Sequence, residues 1–210
     1  MVAHFATVLF TGFMIYSAVP GSSYYLFTYI VTLIIFSLLT QFCFIITKSP
    51  SLKVGTIHGY VMFTGVVCAV GGFLAVYINK NRNDKPHFQT WHSWFGAATL
   101  AYISLQVIGG ISLKYHNLFR IPIKLVDMKL YHATSGLVAF TLVSTTVYLA
   151  LFSTWFSSVA VGTTWFACAA CLSCIALTVM IQITTNYMPL TKKPPQTVNK
   201  AKQEKQGKHK

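Results

Sequence analysis

The sequence predicts an all-α integral membrane protein with six transmembrane helices. Charged residues make up only 9% of the 210 residues, against about 25% in a soluble domain. Apolar residues make up 54%, and they gather in runs near the length of about 20 residues that crosses a bilayer as a helix. Basic residues flank these runs or lie in the last twenty residues, which is typical of membrane orientation charges and a solvated tail.

Short polar or Pro/Gly-containing segments, the first of them Pro20-Gly21-Ser22-Ser23, separate six apolar runs. In chain order the runs are Val2 to Val19, Leu26 to Thr47, Val54 to Tyr77, Trp91 to Leu113, Leu130 to Phe152 and Gly162 to Ile183. No basic region precedes the first run and no small-residue cleavage site follows it, so we expect a retained helix there. We expect a six-helix domain over residues 1–188 and a disordered basic tail over residues 189–210.

The basic residues predict the orientation of the chain. Six helices place both termini on the same side, and that side carries thirteen Lys and Arg residues. The opposite side carries three, Lys80, Arg82 and Lys85. Because the more basic side faces the cytosol, we expect both termini to be cytosolic. We further expect an endomembrane or vesicle membrane rather than the plasma membrane.

The five cysteines lie inside apolar runs, so a disulfide framework is not expected. Cys168, Cys171 and Cys174 share one face of the sixth predicted helix. Since thiols in hydrocarbon are rarely ionised, helix packing explains this spacing better than a metal or redox site does.

Three of the seven histidines, His58, His92 and His132, lie just inside the start of a predicted helix. Successive helices run in opposite directions, so His58 and His132 are expected at one depth near the cytosolic face and His92 near the far face. A histidine inside a membrane is costly unless something uses it. Two neutral imidazoles at one depth can hold a haem iron between them.

Small residues accompany these histidines. Gly136 follows His132 by one helical turn and Gly96 follows His92 in the same way, which leaves room on that face for a porphyrin. Lys129, one turn before His132, could meet a haem propionate at the interface. The alternative is that the histidines bond to neighbouring helices at the interface while the glycines serve close helix packing. For the depth-matched pair we favour haem.

The far site is incomplete in the sequence. By the same geometry, a partner for His92 would come from the start of the second run. Residues 24–32 contain no histidine, methionine, cysteine or lysine, and the second run contains no histidine at all. The residues therefore predict one complete bis-histidine site and one half-site.

Several stretches of the chain match a known pattern. They are Pro20-Gly21-Ser22-Ser23, His58, His92-Ser93-Trp94-Phe95-Gly96, Gln106 with Gly109-Gly110, and Leu130-Tyr131-His132-Ala133-Thr134-Ser135-Gly136-Leu137-Val138. Together they resemble the cytochrome b-561 family of six-helix diheme proteins. The closest resemblance is to the short cytochrome b-561 domain-containing proteins, which are transmembrane ascorbate-dependent reductases.

The resemblance implies two haem b groups held by helices two to five. His58 and His132 would hold the cytosolic-side haem, and His92 would be one ligand of the other. The family's second ligand of that far haem falls at Thr28, whose hydroxyl is a poor ligand for haem iron. Three alternatives follow: a five-coordinate haem on His92, no far haem, or a ligand from a partner chain or a nearby side chain.

The resemblance also implies an electron-transfer function, with ascorbate as cytosolic donor and ferric iron or monodehydroascorbate as far-side acceptor. Basic residues near the cytosolic face would attract an anionic donor; they are Lys48, Lys53, Lys124 and Lys129. Assembly into a homodimer is left open.

Three other functions compete with electron transfer. A one-haem or redox-inactive membrane regulator or scaffold is the main rival, because the far site is incomplete. A proton-coupled transporter is disfavoured, since Asp127, at the edge of the fifth run, is the nearest carboxylate to any span. Nucleic-acid binding is rejected, because the basic tail lacks aromatic residues.

Overall fold

The structure, a computed structural model, describes residues 2–18 and 52–187. The predicted second run with Thr28 and Cys43, the turn before it, Lys48 and the tail over residues 189–210 lie outside the described residues. Five long helices occupy the described part. They are α1 (Val2–Ala18), α2 (Leu52–Arg82), α3 (Trp91–Lys114), α4 (Leu125–Ala150) and α5 (Thr163–Tyr187).

Four helices are long and apolar enough to cross a membrane. These segments are Gly55–Arg82, Trp91–Lys114, Leu125–Ala150 and Thr163–Gln182, and they correspond to the third to sixth predicted runs. The helix α1 adds a shorter apolar stretch, Phe5–Met14. The described residues contain no strand, so the all-α membrane class is confirmed.

The helix α2 is longer than predicted. The third apolar run ends at Tyr77, but the helix continues to Arg82. Polar side chains bond to backbone carbonyls at this end of the helix. Asn83 Nδ2 donates to Asn79 O in the last turn at 2.7 Å, and Lys80 Nζ donates to Pro86 O in the following loop at 3.0 Å.

The start of α4 also differs from expectation. The helix α4 begins at Leu125 rather than Leu130, with Asp127 in its first turn, where a carboxylate interacts well with the helix dipole. A short helix, Thr154–Val159, lies between α4 and α5. The Ser153 hydroxyl caps it by accepting from Phe156 N at 3.2 Å. Another short helix, His116–Phe119, lies in the loop before α4.

The helices α3 and α4 form a central antiparallel pair, with α2 packed on α3, α5 on α4 and α1 on α5. This arrangement gives the bundle two distinct ends. The lysine end carries Lys114, Lys124 and Lys129. The tryptophan end carries Trp91, Trp94, Trp155 and Trp165.

The best-buried apolar cluster joins α1 to α5. Its fully buried members include Ile175 on α5 and Phe156, which stands edge-to-face with Phe13 at 6.2 Å. Trp165 Nε1 donates to Leu151 O at 3.0 Å and ties the α4–α5 connection to this cluster. None of the three histidines His58, His92 and His132 belongs to this cluster.

Four of the five cysteines lie among the described residues, and all four are free. Along α5 the burial falls from buried Cys168 through half-buried Cys171 to exposed Cys174. The described residues contain no group of three or more His, Cys, Asp or Glu side chains that could hold a metal ion.

Candidate functional site

His58 and His132 meet at the lysine end of the bundle. His58 lies in the second turn of α2 and His132 in the second turn of α4, and both side chains are half-buried. Their ring centres are 6.5 Å apart and the ring planes make an angle of 82°. The shared depth expected from the sequence is therefore accompanied by a direct approach of the two rings.

This separation fits a metal between the two rings. Metal–imidazole bonds measure about 2 Å, so an iron held by two imidazole nitrogens separates the ring centres by about 6 Å. The steep angle between the planes is no obstacle, because each ring can turn about its own metal–nitrogen bond. The donor set of two imidazoles is also one that haem iron accepts.

Two glycines of α3 lie against the His132 ring. A Cβ atom at Gly110 would be 3.4 Å from His132 Cε1 and 3.8 Å from Nε2, and one at Gly109 would be 3.8 Å from Nδ1. The backbone of α3 thus lies close to the imidazole, with no side chain between them. Gly109 and Gly110 belong to one of the matched sequence stretches. Their position against the His132 ring follows from the antiparallel packing of α3 on α4.

Gly136 has a different neighbour from the one expected. A Cβ atom there would lie 4.0 Å from Gln106 Nε2, so this glycine faces α3. Gln106 Nε2 also donates to the hydroxyl of Ser135, the residue that directly precedes Gly136. This polar link between α3 and α4 lies about one helical turn from His132 and fixes the register of the two helices there.

The lysine end carries exposed positive charge beside the histidine pair. Lys114 Nζ lies 5.7 Å from the ring centres of both Tyr60 and Tyr115, within cation–π range. Lys124 and Lys129 are exposed on the same end. The sequence identified the last two, but Lys114 joins them only because the end of α3 meets the start of α2.

His92 lies at the opposite, tryptophan end and is oriented by α4. Its Nδ1 lies 2.9 Å from Thr146 O. Because a carbonyl oxygen only accepts, Nδ1 carries the proton and Nε2 keeps a free lone pair. Gly96 borders the same turn of α4, since a Cβ atom there would make ordinary contact with Thr146 Cγ2 at 3.6 Å.

The turn of α4 that holds His92 is itself fixed by hydroxyl groups. Thr146 Oγ1 donates to Leu142 O at 2.8 Å and lies 2.9 Å from Thr99 Oγ1. Since the Thr146 proton is used within α4, the buried Thr99 hydroxyl is the donor of the second bond. Nothing in the sequence pattern pointed to either threonine.

A cavity of about 830 Å³ lies beside His92. Its described walls come from the start of α3 and the end of α4, namely Gln89, Thr90, Trp91, His92, Trp94, Leu149, Phe152 and Ser153. This volume falls in the range of cofactor and ligand sites, which is about 300 to 1,000 Å³.

The two histidine sites are well separated. His132 and the Thr146 turn that holds His92 are about 20 Å apart along α4, at about 1.5 Å per residue. The loop histidines have other contacts. His87 stacks on Tyr77 at 4.3 Å and its Nε2 lies 2.7 Å from Asn81 Oδ1, while His116 Nε2 lies 2.7 Å from Ile123 O.

Comparison with known proteins gives one family and several relatives. Residues 25–157 match the model of the family described as eukaryotic cytochrome b561. The chain is 31% identical over 195 residues to the transmembrane reductase CYB561D2 of Bos taurus and 32% identical to that of Mus musculus. Each of these alignments covers 89% of this chain and 87% of the relative.

A second relative matches a shorter region. The probable transmembrane reductase CYB561D1 of Mus musculus is 34% identical over 127 residues, which cover 60% of this chain and 55% of the relative. No solved structure matches the chain. The resemblance drawn from the sequence motifs is confirmed.

Proposed function

This chain belongs to the eukaryotic cytochrome b561 family, and we propose that it carries electrons across a membrane through haem b. It is an oxidoreductase, as its relatives are named transmembrane reductases. The finer proposal concerns where the haem lies, what reduces it and where the electron goes.

The observation that carries the proposal is the approach of His58 and His132 to 6.5 Å, with Gly109 and Gly110 of α3 against the His132 ring. These two histidines would supply the axial ligands from α2 and α4. A haem held there supplies a one-electron couple between ferric and ferrous iron. The glycines keep side chains away from the ligand ring, and the link between Gln106 and Ser135 keeps α3 in register with α4.

The electron donor is proposed to be ascorbate, acting at the lysine end. Ascorbate is an anion at neutral pH, and Lys114, Lys124 and Lys129 give this end a positive potential that raises the local concentration of anions. Lys129 stands one turn before His132, where it would also pair with a haem propionate.

The lysine end is proposed to face the cytosol, with the acceptor on the far side. Thirteen basic residues on the side of the termini against three on the other support this orientation. Ferric iron and monodehydroascorbate are the proposed acceptors, and an endomembrane or vesicle membrane is the proposed location. A tag at the carboxyl terminus should then be cut by protease added outside intact vesicles.

The test is a pyridine haemochrome assay with a reduced spectrum, recorded on the purified full chain before and after adding ascorbate. We expect a low-spin haem b spectrum that ascorbate develops. His132→Ala should abolish it, whereas the matched control His116→Ala should keep it, since His116 bonds to Ile123 O in the adjacent loop.

Two results would count against this function. An unchanged spectrum in His132→Ala would place the haem elsewhere. A wild-type chain that binds no haem when expressed with excess haem would favour the redox-inactive membrane regulator instead.

A further inference from the structure

We propose that His92 is the single protein ligand of a second haem b at the tryptophan end, and that the opposite axial position takes a small exogenous ligand. This inference rests on the proposed function, because it assumes that the chain binds haem b. It assigns the tryptophan end a ligand-binding role in addition to electron transfer.

The His92 ring is prepared to bind a metal. Its Nδ1–H donates to Thr146 O at 2.9 Å, which leaves the Nε2 lone pair free. Histidines that bind metals commonly donate their other ring N–H to a backbone carbonyl or carboxylate, since this fixes the tautomer and raises the basicity of the ligand. The hydroxyl pair of Thr99 and Thr146 then holds the carbonyl in place.

The start of the second run carries none of the usual haem ligands. Residues 24–32 contain no histidine, methionine, cysteine or lysine. Among the described residues, His87 is held by Asn81 Oδ1 and Tyr77. Met14 and Cys168 are buried in the α1–α5 cluster. None of these residues is therefore placed to be a second ligand of a haem on His92.

The cavity beside His92 indicates the class of exogenous ligand. Its described walls include Trp91, Trp94, Leu149 and Phe152, and none of the described lining residues is charged. A wall without charged side chains gives little electrostatic stabilisation to an anion. The site therefore favours a small neutral ligand of ferrous haem, of the size of a diatomic gas.

Carbon monoxide is the probe, because it binds ferrous haem with a free axial position and not a bis-histidine haem. The full chain is purified in detergent and reduced with dithionite, and a carbon monoxide difference spectrum is recorded with the haem count per chain. We expect two haems per chain, of which about half the total haem reacts with carbon monoxide.

Variants of His92 identify which haem binds carbon monoxide. His92→Ala should lose the carbon monoxide difference spectrum and about half of the haem, and keep the low-spin spectrum that ascorbate develops. His92→Gly should regain the lost haem when imidazole is added in excess, which separates loss of a ligand from misfolding. The matched control His87→Ala should keep both haems and the carbon monoxide spectrum.

The inference is overturned by one haem per chain, by two haems of which neither binds carbon monoxide, or by a carbon monoxide spectrum that survives in His92→Ala. The second and third outcomes leave the proposed electron-transfer function intact as long as the ascorbate-reducible haem depends on His132. One haem per chain would also favour the one-haem membrane regulator over transfer across the membrane. Loss of that haem would instead contradict the proposed function itself.

Discussion

The two ends of α4 make different contacts with histidines of the neighbouring helices. At the lysine end, His132 of α4 faces His58 of another helix, ring to ring, with a separation of 6.5 Å. At the tryptophan end, α4 offers a backbone carbonyl to His92 of α3. The same residue type thus faces a second imidazole at one end and is oriented by a backbone carbonyl at the other.

The glycines repeat this difference. Gly109 and Gly110 lie against the imidazole of His132, so no side chain separates α3 from that ring. Gly96 lies beside a methyl group of Thr146, where a Cβ atom would make ordinary contact at 3.6 Å. The glycines near the two histidines therefore have different neighbours, which the packing of α3 on α4 sets.

Removing one histidine of the pair should have the largest effect. His58→Ala leaves the haem at the lysine end with one protein ligand, so the ascorbate-reducible low-spin absorbance should fall about tenfold or more. The matched variant His92→Ala should leave this absorbance in place. Equal losses in the two variants would mean that the two ends do not differ as described.

Filling the space beside His132 should have the next largest effect. A Cβ at Gly110 reaches ordinary contact with the ring, so Gly110→Ala should lower haem occupancy slightly and Gly110→Leu should lower it several-fold. Occupancy is measured as the ratio of Soret to protein absorbance. The control is Gly71→Leu, because a Cβ there meets nothing within 4 Å. Full occupancy in Gly110→Leu would show that the porphyrin does not use this space.

Breaking the hydroxyl pair at the tryptophan end should have a moderate and local effect. Thr99→Val removes the bond to Thr146 Oγ1 and should cost about 1 kcal/mol of stability. It should also shift the carbon monoxide spectrum and leave the ascorbate-reducible haem unchanged. Thr134→Val is the control, since that exposed hydroxyl donates to Leu130 O of its own helix. A shift in the ascorbate-reducible haem would mean that the two ends are coupled.

Removing one surface charge should have the smallest effect. Lys114→Gln should slow reduction by ascorbate about twofold at low ionic strength, and the difference should vanish at high salt because exposed charges are screened. Stopped-flow absorbance measures the rate. Lys85→Gln, which removes a charge beyond α2 at the tryptophan end, should have no effect. A salt-independent decrease in Lys114→Gln would point to a structural role for its contacts with Tyr60 and Tyr115.

The helical membrane fold could be predicted closely where apolar runs are long. The fourth run, Trp91 to Leu113, corresponds to a helix over Trp91–Lys114. The errors lie at polar ends. The apolar run ends at Tyr77, but α2 continues to Arg82. The side chains of Asn83 and Lys80 bond to backbone carbonyls at the end of the helix and in the loop that follows. A hydropathy profile does not detect side-chain capping of this kind.

The amino-acid sequence alone determined the membrane class, the positions of four described spans and the depth of His58, His92 and His132. These properties are local, since apolar length and the alternating direction of successive helices fix them. The tertiary structure alone decided that His132 faces His58, that Gly109 and Gly110 border the His132 ring, and that His92 bonds to Thr146 O. These contacts depend on how each helix is rotated about its axis and which helix lies beside it, and packing between residues distant in sequence sets both.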